Sequence, residues 1–178
     1  MTGLKRTVAL VGMMGAGKSS VGRRLADRLC VPFRDADTEI EMAAGCPIND
    51  IFEQYGEPAF RAGERKVILR LLREPPHVLA TGGGAMLDAA TRAQLGEHAV
   101  SVWLRAPLDV LLSRVGRRDS RPLLRNGSPR ETLARLLTER EPIYAACEIV
   151  IDVGNEPHAT AVARIIAALS DREIVIAQ

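Results

Sequence analysis

Aromatic side chains are scarce: one Trp, two Tyr and three Phe among 178 residues. The core of such a chain has to be aliphatic. A single-strand nucleic-acid platform, which stacks bases on aromatic rings, is disfavoured. A dominant charge is missing too. Twenty-four basic residues face 22 acidic ones, for a net charge of +2, which does not suit a polyanion-coating protein. Lysine is nearly absent, since only Lys5, Lys18 and Lys66 are lysines. The positive charge is therefore carried by arginine, the residue suited to bidentate recognition of carboxylate and phosphate. The three cysteines, Cys30, Cys46 and Cys147, are odd in number and show no CxxC spacing. They read as free thiols of a reducing compartment. No apolar run reaches the roughly 18 residues of a membrane-spanning helix. Residues 8–14, after Lys5 and Arg6, are too short and glycine-broken for a signal segment, and no A-x-A site follows. The expected setting is the cytoplasm, with no membrane and no nucleic-acid partner.

Apolar residues make up 47% of the chain, enough for a folded core. Short, near-continuous apolar runs at 6–11, 31–34, 77–81, 99–104 and 148–152 predict strands buried on both faces. Helices are expected at 18–29, 38–44, 48–54, 57–73, 88–96, 107–115, 129–145 and 157–170. Asp88, Pro107 and the pair Ser128-Pro129 offer helix starts. This alternation implies an α/β fold with a mainly parallel sheet. There are no repeats and no linker, so one domain over 1–178 is expected. Residues 116–128, GRRDSRPLLRNGS, are polar, Arg-rich and Gly-bounded, and read as a long loop of the lid kind.

Residues 12–19, GMMGAGKS, fit G-x-x-x-x-G-K-[ST] between a strand and a helix. Glycines there let backbone N–H groups converge on phosphate oxygens, and the helix N-terminus adds positive potential. Lys18 would reach the outer phosphates, and the Ser19 hydroxyl is placed for Mg²⁺. The motif indicates a nucleoside triphosphate with its metal and leaves the phosphate acceptor open.

No Asp ends the third apolar strand; Gly82, Gly83 and Gly84 follow it instead. The carboxylates come after the second strand, as Asp35 and Asp37. Two positions apart on a strand end, they point to one side. One can serve the metal and the other a substrate hydroxyl. The competing role is helix capping, stronger for Asp37 than for Asp35. The triple glycine exposes backbone to which a flat ring can come close. Arg61 and Arg140 lie on amphipathic helices, where the ordinary role of arginine is a solvated face. Arg117, Arg118, Arg121 and Arg125 in the 116–128 loop can clamp phosphate or simply decorate a surface.

Taken together, these motifs resemble the shikimate kinases. GMMGAGKSSVG, FRDADTEIE, IFEQYGEPAFRAGE, TGGGA, SRPLL and REPIY stand in that family's order across about residues 7–170. The resemblance implies a P-loop NTPase fold, nucleoside-monophosphate-kinase-like, three-layer α/β/α, with a five-stranded parallel sheet of order 2-3-1-4-5. It implies transfer of the ATP γ-phosphate to the 3-hydroxyl of shikimate by a monomer using Mg²⁺. Gly15, Ala16, Gly17, Lys18, Ser19 and Ser20 would hold the nucleotide phosphates. Arg114, with Asn155 and Pro157, would flank adenine, and Arg121 would reach the phosphates from the lid. Asp37, Arg61, Gly82, Gly83, Gly84 and Arg140 would bind shikimate, within a substrate segment of about 36–64. Glu64 would orient Arg61. Ser19 and, through water, Asp35 would hold the metal. Lys18, Asp37 and Arg121 would carry catalysis. Two departures stand out. Ser20 replaces a common Thr, and VGNEP (153–157) lacks an arginine found there in some members. A gluconate-type or nucleotide kinase of the same fold, or a non-catalytic NTP-binding module, is the alternative.

Overall fold

The computed structural model describes residues 3–115 and 128–176. Five short strands carry the sheet: β2 (Thr7–Val11), β3 (Phe33–Asp35), β4 (Val78–Ala80), β5 (Ala99–Arg105) and β6 (Ile149–Asp152). They run in the order β3-β4-β2-β5-β6, all neighbours parallel. Counted in chain order within the sheet, that is 2-3-1-4-5. The register is tight at the centre, where Val8 lies beside Val78 on one side and Val100 on the other. All five residues of β2 are buried, which is why it reads as an unbroken apolar run rather than an alternating one.

The helices are α1 (Lys18–Leu29), α2 (Ala36–Ala44), α3 (Ile48–Leu71), α4 (Ala89–His98), α5 (Leu108–Val115), α6 (Pro129–Tyr144) and α7 (His158–Ser170). The buried face of α1 is Val21, Gly22, Leu25, Ala26 and Leu29, the helical repeat expected of a core-facing stripe. A Cβ on Gly22 would fall 2.5 Å from the Phe33 ring, so a glycine lets α1 lie close on β3. Two of the expected starts are seen. The Asp88 side chain accepts the Thr91 N–H, and Ser128 caps α6 with Pro129 in its first turn. Within α3, Gly56 leaves helical geometry (φ 80°, ψ 171°), which accounts for the two separate helices expected at 48–54 and 57–73. Val175–Ile176 (β7) pairs antiparallel with Gly3–Leu4 (β1), outside the main sheet.

Beyond the carboxyl end of β2 the chain order reverses: β3 and β4 lie to one side, β5 and β6 to the other. In open parallel sheets ligands bind at this switch point. The glycine-rich 12–17 loop emerges there. Of the expected lid, 116–128, residues 116–127 with Arg117, Arg118, Arg121 and Arg125 lie outside the described residues.

Candidate active site

The loop after β2 has backbone that favours glycine. Gly12, Gly15 and Gly17 all have positive φ (145°, 83° and 91°). Gly17 caps α1 without a side chain, so no side-chain acceptor takes up the first-turn N–H groups. Such a helix end is an anion site by its own dipole and donors. The Lys18 ammonium arches back over the loop, donating to the carbonyls of Gly12 (2.7 Å) and Met13 (2.9 Å). From α5, Arg114 donates to the Gly15 and Ala16 carbonyls (3.3 Å each) and to the Gly154 carbonyl (2.6 Å). It thereby joins the glycine loop to the 153–157 turn. A narrow recess between them is lined by Ala16, Arg114, Gly154, Pro157 and His158. Asn155, expected beside Pro157, does not line it. His158 was not singled out from the sequence. Its ring comes close enough to Gly17 to lie 3.4 Å from any Cβ placed there. Burial, and then the cations Arg114 and Arg24, push its pKa down.

Helix capping falls to the aspartate that was the weaker candidate for it. Asp35, not Asp37, is the N-cap of α2: its Oδ1 accepts the Asp37 N–H at 3.1 Å. The other oxygen of Asp35, Oδ2, accepts from the Ser19 hydroxyl at 2.5 Å. The cap and the link to the glycine loop are therefore one carboxylate. Asp37, in the first turn of α2, points its Oδ1 to within 3.2 Å of where a Gly82 Cβ would stand.

Gly82–Gly84 is glycine for space, not for backbone freedom. None of the three has positive φ. A Cβ on Gly82 would lie 2.7 Å from Glu64 Oε1, and one on Gly83 would lie 3.3 Å from Arg140 Nη1. One on Gly84 would overlap the Arg61 guanidinium, 2.6 Å from its Cζ. Gly82 makes room for Glu64 and Asp37, Gly83 for Arg140 and Gly84 for Arg61. The turn therefore also makes room for protein side chains, which the expectation of backbone open to a ring left out.

Those side chains form a buried charged cluster. Arg61 donates to Glu64 at 2.8 Å and to Glu57 at 3.3 Å. Glu64 is only 2% exposed. Burial pushes its pKa up, with Arg61 the main opposing influence, and its Oε1 has no hydrogen-bond partner among the described residues. Arg140 is 3% exposed, so the solvated-face expectation is wrong for it. Its Nε and Nη1 have no partner among the described residues. Buried polar groups are seldom left unpaired, and such groups converging on one spot mark where a ligand completes them. Two guanidiniums suit a carboxylate, and the nearby Asp37 suits a hydroxyl. The turn that holds them also touches the phosphate loop: a Cβ on Gly83 would lie 3.5 Å from the Met14 nitrogen.

A shikimate kinase family model matches residues 14–170. The chain belongs to the shikimate kinase family. The shikimate kinase of Caulobacter vibrioides is 57% identical over 164 residues, 92% of this chain and 82% of that protein. Among solved structures, shikimate kinase from Acinetobacter baumannii in complex with shikimate superposes with a TM-score of 0.92 at 36% identity, covering 95% of each chain. That from Aquifex aeolicus gives 0.80 at 30% identity, over 94% of this chain and 98% of that one. Membership in this family makes the protein an ATP-dependent phosphotransferase. It also displaces the gluconate-type, nucleotide-kinase and non-catalytic alternatives as family assignments. Among the described residues no helix is long and apolar enough to cross a membrane.

Proposed function

We propose that this kinase transfers the γ-phosphate of ATP to the 3-hydroxyl of shikimate, giving shikimate 3-phosphate and ADP. The observation that carries the reading is Gly83. A Cβ placed there would lie 3.3 Å from Arg140 Nη1 and 3.5 Å from the Met14 nitrogen of the phosphate loop, so the turn touches both. An acceptor held by Arg140 and Arg61 through its carboxylate would thus stand against the donor phosphates. Phosphoryl transfer asks mainly for such positioning and for charge neutralisation. Asp37 would hold the acceptor hydroxyls and take the proton of the attacking one. Lys18, and Arg121 from the lid, would neutralise the transferred group.

Ser19 and Asp35 fit a magnesium ion. They are hard oxygen donors, already adjacent, beside a helix end that suits phosphate. Among the described residues no three His, Cys, Asp or Glu side chains gather as metal ligands. Mg²⁺ would supply charge neutralisation at the phosphates. Arg114 and Pro157 would flank adenine in the recess they line. The same reading has a monomer in the cytoplasm, in one kinase domain whose lid is 116–128, in keeping with three unpaired cysteines.

The test is coupled ADP release with shikimate, gluconate and nucleoside monophosphates as competing acceptors. Shikimate should be the acceptor that drives ADP release. Faster release with either of the others would overturn the reading.

A further inference from the structure

His158 stands where the two parts of the nucleotide site meet. It opens α7 directly after Pro157. On one side it lines the recess between Arg114 and the 153–157 turn. On the other its ring edge faces the phosphate loop: a Cβ on Gly17 would lie 3.4 Å from its Cε1 and 3.7 Å from its Nδ1. Arg114 Nη1 comes equally near that point, at 3.4 Å. The imidazole and the guanidinium thus flank the start of α1 together. Burial and charge act on the ring, and neither of its nitrogens has a hydrogen-bond partner among the described residues.

A nucleotide imposes an order along this path. Its base would fill the recess, and its outer phosphates would lie at the loop with Lys18. The sugar and the α-phosphate come between them in the covalent chain. A ligand that fills both parts therefore passes the edge that His158 presents. An imidazole N–H meets a phosphate oxygen well, and protonation of the ring makes that bond charge-assisted.

Resting on the nucleotide reading of the loop and recess, we propose that His158 is a nucleotide-binding residue whose ring donates to the α-phosphate.

A charge effect follows. Without ligand, burial and then the cations Arg114 and Arg24 keep the ring neutral at pH 7. A bound phosphate puts negative charge beside it and favours the imidazolium. Binding therefore takes up a proton, and nucleotide affinity gains as the pH falls from 8 to 6. The other charges facing the ring do not change over that range. Arg24 of α1 and Arg114 of α5 are guanidiniums, which stay cationic. Glu156 of the turn stays ionised, its pKa lowered by its own backbone N–H and then by Arg164 of α7.

Calorimetric binding to the whole enzyme is the test, with MgADP, AMP, adenosine and shikimate as ligands. His158→Ala should weaken MgADP and AMP roughly tenfold at pH 6.5. Adenosine, which has no phosphate, and shikimate, on the acceptor side, should stay within about twofold. His158→Gln keeps a neutral N–H donor and cannot gain the charge. In that variant the rise in MgADP affinity from pH 8 to 6 should be severalfold smaller than in wild type. Proton uptake on binding, read from heats in buffers of different ionisation enthalpy, should also be smaller. Comparing the two proteins cancels the ligand's own titration. An equal loss for adenosine overturns the phosphate contact, and an equal loss for shikimate marks a merely structural histidine. Equal proton uptake in wild type and His158→Gln overturns the proposal as well.

Wild-type binding separates the two ideas. No MgADP binding by the wild-type enzyme overturns the nucleotide reading and this inference together. Normal MgADP binding that His158→Ala leaves unmoved overturns this inference alone.

Discussion

Gly84→Ala puts the spacing argument to a quantitative trial. The backbone at Gly84 (φ −101°, ψ 0°) suits alanine, so the main chain is not strained. Reduced freedom of the unfolded chain should even favour the variant by about 0.4–1 kcal/mol. The new methyl, however, overlaps the Arg61 guanidinium, 2.6 Å from Cζ. The guanidinium is the end of a flexible side chain, so it moves and the turn stays. On moving it gives up its 2.8 Å bond to Glu64. Glu64 is then a buried carboxylate without its main counter-charge, and it takes up a proton. From the ordinary value of 4.5, holding that proton at pH 7 costs at most about 3.4 kcal/mol. The net loss is therefore about 1–3 kcal/mol, a Tm fall of about 3–9 °C for a chain of this size. At pH 5 the same proton costs only about 0.7 kcal/mol, so the deficit against wild type should shrink. The acceptor loses a charge-assisted contact, and its KM should rise roughly 10- to 100-fold with little change for ATP. Thermal unfolding at both pH values and steady-state kinetics with acceptor varied are the measurements. Gly96→Ala, in α4 with open space around it, is the control and should be neutral or slightly stabilising. A folded Gly84→Ala enzyme with an unmoved acceptor KM, or with a deficit as large at pH 5 as at pH 7, would refute the reasoning.

Asp35→Asn separates the two jobs of that side chain. Asparagine caps as well as aspartate, so the Tm should hold within about 2 °C, while the Mg²⁺ concentration for half-maximal rate should rise severalfold; an unchanged Mg²⁺ titration removes Asp35 from the metal site. Arg61→Lys should raise the acceptor KM by roughly tenfold, because an ammonium cannot form the bidentate contact; equal affinity in acceptor titrations would take Arg61 out of the acceptor site. His77 is buried, and burial lowers its pKa below 6.5, with the Pro75 carbonyl opposing. The unfolded chain protonates first, so its contribution to stability is present above pH 6.5 and lost as the pH falls toward the folded value. Thermal unfolding from pH 7.5 to 5 should show that decline, and His77→Asn should flatten it.

The central strands β2, β4 and β5 were legible because they are buried on both faces, whereas the edge strands are not: β3 is partly exposed throughout and β6 alternates. Runs such as RTVALV and AVSVWL then stand out without any alternation to decode. The phosphate loop was legible because its glycines answer a backbone demand that follows from the motif. Arg140 was not legible from its helix alone. On α6 it is one polar residue among many, and the Gly82–Gly84 turn it lies against is far away in sequence. The same applies to the two aspartates. Local rules allow either to cap α2, and the Ser19 hydroxyl, 16 residues away, falls to Asp35. The triple glycine was visible as a signal, but its meaning lay in the side chains of α2, α3 and α6 that it makes room for. His158 carried no sequence signal beyond its place after Pro157.

The pairing of Gly84 with Arg61 also bears on the paths open to mutation. The space at Gly84 is closed only while a guanidinium fills it. In a chain that has already lost Arg61 to a small residue, alanine at 84 would meet no obstacle. Made first, with Arg61 in place, the same alanine is harmful. The two positions are thus expected to show sign epistasis, with Gly84 constrained by Arg61 and released only after it.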